Sequence, residues 1–158
     1  MGSNMTGIYE KKLAEEGITL PDAPAPAANY VPYVLVGNVL YVSGQISQNA
    51  SGLILGKLGE SMTTDQGAEA AKFCAINLLA QVKSACAGDL DKLVRVVKLN
   101  GFVNSMPDFT QQPQVINGAS DLIGKVLGNA GKHARVAVSA NSLPLGVAVE
   151  IDGIFQIA

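Results

Sequence analysis

Arg135 and Glu150 are the two side chains in this 158-residue sequence whose types and spacing best suit chemistry. A guanidinium is a planar fork that holds a carboxylate through two parallel hydrogen bonds. A glutamate can position or deprotonate a water. Together they suit a small carboxylate-bearing substrate attacked by water. They fall in two alternating segments, 133–140 and 147–152, joined by a Pro-containing loop, and that pattern reads as a hairpin. Side chains alternate faces along a strand, so Arg135, Ala137 and Ser139 share one face, as do Ala148, Glu150 and Asp152 on the return. Pairing symmetric about Ser142 and Leu143 puts Arg135 opposite Glu150, with small residues leaving space beside two charges. Spacing alone favours a simpler reading, an exposed cross-strand ion pair worth about 0.2–1 kcal/mol, because surface pairs are common and mostly inert.

Other chemistries are poorly supplied. His133 is the single histidine, and its position two residues from Arg135 reads as a rim residue on the same face. A zinc site needs three or four converging ligands, and no Cys or His cluster offers them. There is no P-loop or dinucleotide-binding glycine fingerprint, and Ser43-Gly44-Gln45 lacks the flanking glycines of a nucleophile elbow. No cofactor is expected.

The elements around Arg135 and Glu150 read off in order. Tyr9 to Glu16 predicts a short helix stopped by Gly17, and the Pro-rich stretch from Leu20 to Ala28 an extended arm. Val34–Val36 and Val39–Val42 predict strands about a Gly37-Asn38 turn. Thr63-Thr64-Asp65-Gln66 is a capping box, opening a helix whose apolar stripe runs Ala71, Cys74, Ala75, Leu78, Leu79, Val82 and Cys86. Asn77 and Lys83 fall off that stripe and are expected in solvent. Leu93 to Val103 predicts a strand, and Pro113 to Leu127 a second long helix. Hairpin, helix, strand, helix, hairpin is an α+β layout, one sheet with two long helices on one face. Its other face is expected to be buried against partners.

Composition sets bounds. The length fits one domain, taken as 5–158, with Met1–Asn4 reading as an appended remnant. Apolar residues make up 48% and net charge is −2. That balance, without a basic patch, argues against nucleic-acid or membrane partners. Cys74 and Cys86 stand about 18 Å apart along one helix, too far for a disulfide. They read as buried thiols of a reducing, cytoplasmic compartment.

Several segments, taken in order, resemble the Rid (reactive intermediate deaminase, YjgF-type) family from about Ala25 to the end. They are Ala25-Pro26-Ala27-Ala28 with Pro32-Tyr33, Gly37-Asn38 leading into Val42-Ser43-Gly44-Gln45, the Gly88–Leu93 segment, and Ala134-Arg135 through Leu143-Pro144 to Val149-Glu150-Ile151. The N-terminal helix, Gly101–Ser105 and Asn117–Leu122 look like a longer subgroup. The resemblance implies a chorismate-mutase-like fold with one mixed sheet, assembled as a homotrimer about a central sheet barrel, with clefts between subunits. It implies cofactor-independent hydrolysis of enamines and imines such as 2-aminoacrylate to 2-oxo acids and ammonia. Arg135 matches the arginine that binds the substrate carboxylate, and Glu150 the glutamate that places or activates water. Ser43 and Gly44 match the cleft-lining Ser-Gly-Gln, and Ala137 stands where the deaminases often carry Cys. Tyr33 matches the tyrosine after a proline, with Tyr30 competing for that role. Two alternatives stand beside deamination. One is a non-catalytic trimer binding small carboxylates; the other is a ribonuclease, which the acidic balance and missing stacking aromatics oppose.

Overall fold

The computed structural model describes residues 7–26 and 28–158, so the Met1–Asn4 remnant and Ala27 of the arm lie outside the described residues. Helix α1 (Ile8–Glu15) is capped from a distance: the Asp91 carboxylate accepts from the backbone N–H groups of Ile8 and Tyr9 at 2.9 and 3.1 Å. Strands β1 (Tyr33–Val36) and β2 (Val39–Ile46) form a hairpin in which Gly37 takes φ +61°, a conformation suited to glycine. A two-stranded ribbon, β3 (Gln48–Asn49) with β4 (Gly52–Leu53), follows.

Helix α2 (Thr64–Ala85) starts at the capping box that the sequence predicts. Thr63 Oγ1 accepts from the Gln66 N–H at 3.2 Å, and Gln66 Oε1 accepts from the Thr63 N–H at 2.9 Å. Thr63→Ala leaves one of these donors to solvent and is expected to cost about 1 kcal/mol. A calorimetric melt should then fall by roughly 2–4 °C for a domain of this size.

The chain continues through β5 (Leu93–Asn104), α3 (Gln112–Leu127), β6 (Ala134–Ala140) and β7 (Val149–Ile157). Five strands form one mixed sheet in the order β1-β2-β7-β5-β6, in which only β5 and β6 run parallel. Here the structure corrects the sequence reading. β6 and β7 are not a hairpin, because β5 lies hydrogen-bonded between them. The reason is the helix before β6: strand, helix and strand make a crossover connection, which delivers β6 parallel to β5. β7 then returns antiparallel on the other side of β5. The 141–148 link turns at Leu143–Val147, where Leu145 and Gly146 take φ +60° and +76° and the Gly146 N–H donates to the Leu143 carbonyl at 3.1 Å.

Both long helices cover one sheet face, α2 over β2 and β7 and α3 over β5 and β6, and they pack on each other. The core between layers holds Leu40, Leu78, Leu79, Leu99, Ile116, Ile123, Ile151 and Phe155, all fully buried. Cys74 and Cys86 are free thiols buried in this layer, as their stripe predicts. Asn77 is a second correction. It is 3% exposed, not solvated, and its Nδ2 donates to the Gln48 carbonyl at 3.3 Å. The sequence stripe accounts for one face of α2, but the β3 ribbon and the chain after α1 cover the other. Lys83 instead pairs with Glu10 of α1 at 2.7 Å. The outer sheet face carries exposed Val34, Val36, Tyr41, Val136 and Val138. Among the described residues no helix is long and apolar enough to cross a membrane.

Candidate functional site

Glu150 sits on the outer face of β7, with Ile46 of β2 and Phe102 of β5 as its pairing partners. Opposite it, β2 breaks register between Val42 and Gln45, so Ser43 and Gly44 form a bulge. Bulges re-aim side chains next to sites, and this one brings backbone against the carboxylate. A Cβ on Gly44 would stand 2.3 Å from Glu150 Oε1, so any larger residue there would push the carboxylate out of its present position. Ser43 Oγ donates to the Val31 carbonyl at 2.8 Å, tying the arm to the bulge. Gln45 turns inward, 7% exposed, and its Nε2 donates to the Ser43 carbonyl at 3.0 Å. The result is a cleft of about 310 Å³ lined by Pro24, Tyr30, Ser43, Gly44, Leu145 and Glu150, among others. Burial, and then the charge of Asp152 two residues along the same face, push the Glu150 carboxyl above its ordinary value. A carboxyl raised in this way can take and return a proton nearer neutral pH. Leu145 overhangs the cleft at φ +60°, a left-handed conformation that costs a non-glycine residue about 1–2 kcal/mol.

Arg135 lies elsewhere in the chain. On β6 it pairs with Leu99, whereas Glu150 pairs with Phe102, three residues further along β5. An odd offset means opposite faces. Two strand spacings and three residues of rise separate the Cα atoms by roughly 14 Å. Arg135 therefore faces α3 on the helix side. Its Nη1 donates to Asn117 Oδ1 at 2.9 Å and to Ser120 Oγ at 3.1 Å, and its Nη2 reaches the Pro113 carbonyl at 3.4 Å. The two Nη1 hydrogens are thus engaged. The Nε–H and an Nη2 hydrogen beside it make up the side-on edge of the fork, the edge suited to a carboxylate. Ala137 and Ser139 continue the same face of β6, and Ser139 Oγ bonds Ser105 Oγ at 2.6 Å and accepts from Gln112 Nε2 at 2.8 Å.

The residues singled out from sequence therefore fall into two groups. Ser43, Gly44 and Glu150 converge on one cleft; Arg135 and Ala137 stand together on the edge strand β6. The cross-strand Arg135–Glu150 pair does not exist within the chain, because β5 intervenes. Tyr30 lines the Glu150 cleft, whereas Tyr33 points to the helix side, its hydroxyl 3.3 Å from Ser84 Oγ. No local signal in the sequence marks Asn117 and Ser120 as partners of Arg135. Their three-residue spacing puts them on one face of α3, and reading 93–140 as a parallel crossover would have set that face over β6.

This strand order, with two helices on one face and a Ser-Gly-Gln bulge against a glutamate, defines an α+β domain of the chorismate-mutase-like class. The family model described as "YjgF/chorismate_mutase-like, putative endoribonuclease" matches residues 10–152, and the chain belongs to this YjgF/RutC (Rid) family. It is 49% identical to Protein TCP17 of Trypanosoma cruzi over 154 residues, covering 96% of each chain. It is 31% identical to the 2-iminobutanoate/2-iminopropanoate deaminase of Dermatophagoides farinae over 140 residues, 89% of this chain and 94% of the relative. Among solved structures, the protein Atu1372 of Agrobacterium tumefaciens, described as of unknown function, superposes with a TM-score of 0.89 at 49% identity. That match covers 96% of this chain and 94% of the other.

Proposed function

We propose that this protein hydrolyses reactive enamines and imines derived from amino acids, such as 2-aminoacrylate, to 2-oxo acids and ammonia without a cofactor. The observation that carries this reading is the Glu150 carboxylate, half-buried and pressed against the Gly44 backbone in a cleft sized for a small molecule. A relative that is by name an iminobutanoate deaminase supports the substrate class. The working unit of the proposal is a homotrimer. The exposed apolar outer face supports it, since contiguous apolar patches on a protomer mark contact surfaces. So does Arg135 on the edge strand β6, where a neighbouring copy can meet it.

In this scheme Arg135 of one copy holds the substrate carboxylate side-on, within the Glu150 cleft of the next. The enamine tautomerises to the imine; Glu150 takes a proton from water as its oxygen bonds to the imine carbon. The imine nitrogen, protonated from solvent, takes up the C=N electron pair to give the carbinolamine; Glu150 returns its proton to that nitrogen, the C–N bond breaks, and ammonia leaves as the hydroxyl proton passes back to Glu150 and the carbonyl forms. Tyr30, with Ser43 and Gly44, would line the substrate; Ala137, a small residue, leaves space beside Arg135.

Glu150 works as a base only when ionised, so its raised pKa sets the acid limb of activity. kcat/KM for 2-aminoacrylate, generated enzymatically in the assay, should fall as pH drops through a value above the ordinary glutamate pKa of about 4.3. Glu150→Gln should lower kcat by about 10²–10⁴ and abolish that limb. Binding of 2-oxo acids without ammonia release from any imine in a panel would replace this reading with that of a carboxylate-binding trimer.

A further inference from the structure

We infer that His133 and Ser120 are positioning residues that fix the Arg135 guanidinium through a single directed chain of hydrogen bonds. The inference rests on the reading of Arg135 as the carboxylate clamp. His133 Nδ1 lies 2.6 Å from the Gly131 carbonyl, its Nε2 lies 2.9 Å from Ser120 Oγ, and Ser120 Oγ lies 3.1 Å from Arg135 Nη1.

The chemistry of the end groups dictates every direction in this chain. The Gly131 carbonyl can only accept, so Nδ1 carries the imidazole proton. In the neutral ring Nε2 is then a bare acceptor, and the Ser120 hydroxyl donates its one proton to it. That leaves the Ser120 lone pairs for Arg135, whose guanidinium can only donate. Asn117 Oδ1 takes the second Nη1 hydrogen. With Nη1 saturated, the guanidinium cannot rotate, and its Nε–H and Nη2–H edge stays presented. His133 thus ceases to be the rim residue that the sequence suggests and becomes the anchor of the chain.

One measurement needs no variant. Because His133 is the sole histidine, nitrogen-15 NMR of the protein without an affinity tag reports this ring alone. With the ring in its neutral form, the spectrum should show a protonated Nδ1 and a bare Nε2. The opposite tautomer would overturn the inference. Kinetics give the second measurement. Ser120→Ala and His133→Leu should each raise KM for 2-aminoacrylate about three- to tenfold, the range for one lost hydrogen bond. kcat should stay within about twofold, because the carboxylate grip is common to ground and transition states. His133→Gln, able to offer Ser120 an amide oxygen, should recover most of the lost affinity, and the double variant should be no worse than either single one. Unchanged KM in both single variants, with Arg135→Ala still crippling, overturns the chain but keeps the clamp. Unchanged KM in Arg135→Ala overturns the clamp and this inference with it, whatever the tautomer.

Discussion

Arg135→Ala is expected to lower kcat/KM for 2-aminoacrylate by about two orders of magnitude while leaving the melting temperature within about 2 °C. Losing one partner of a desolvated, bidentate charge pair costs about 2–4 kcal/mol, and each 1.4 kcal/mol is tenfold. Stability should hardly move, because the groups that Arg135 touches remain able to reach water: Asn117 is exposed and Ser120 and Pro113 are not fully buried. Arg135→Lys keeps the charge but loses the fork, and should recover only part of the activity. The opposite-face placement of Arg135 and Glu150 adds a sharper test. In the trimer proposed above, mixing Arg135→Ala with Glu150→Gln protein, unfolded and reassembled together, should restore up to about a quarter of wild-type activity, since random assembly would bring two intact residues together at that share of intersubunit clefts. If no activity returns, the two residues do not meet between copies. If Arg135→Ala is as fast as wild type, the clamp role is lost.

What could be read from the sequence divides along a physical line. Local signals held: the Thr63 capping box, the Gly37-Asn38 turn and the α2 stripe from Ala71 to Cys86 each depend on residues within a few positions of one another. The partnership of β6 and β7 is non-local, and there the symmetric spacing about Ser142 misled. Alternation fixes which residues share a face of one strand, but not which strand comes next in the sheet. The available cue was α3 between β5 and β6, a connection long enough for the crossover that parallel strands need. Asn77 escaped for a related reason. A single apolar stripe describes a helix with one covered side, whereas α2 is covered on two. At the site, Ser43, Gly44 and Glu150 were legible as motif matches. Asn117, Ser120 and the anchoring role of His133 were not, because each acts through its neighbour on another element.

The contact between the two long helices supplies the largest expected stability effect. A Cβ on Gly118 would lie 1.9 Å from the Ala68 carbonyl oxygen and 2.6 Å from its carbon. Both belong to the α2 backbone, which cannot swing aside as a side chain would, so α2 and α3 must part. Overpacking of this kind costs about 1–3 kcal/mol, against the gain of nearly 1 kcal/mol from alanine's helix propensity. With backbone as the obstacle the cost falls at the top of that range, so Gly118→Ala is expected to lose about 2 kcal/mol net, or roughly 4–8 °C in Tm at fixed protein concentration. Gly124→Ala in the same helix is the control. Nothing lies within 4 Å of its added Cβ, so it should hold or raise Tm. Equal melting of the two variants would mean that the helices do not approach this closely. The consequence reaches the site, because Gly118 stands between Asn117 and Ser120 in the sequence. Displacing α3 there withdraws both acceptors from Arg135 Nη1, so the variant should also bind a 2-oxo acid more weakly at temperatures where it remains folded. Close helix packing and a fixed guanidinium are in this way one requirement, met by one missing side chain.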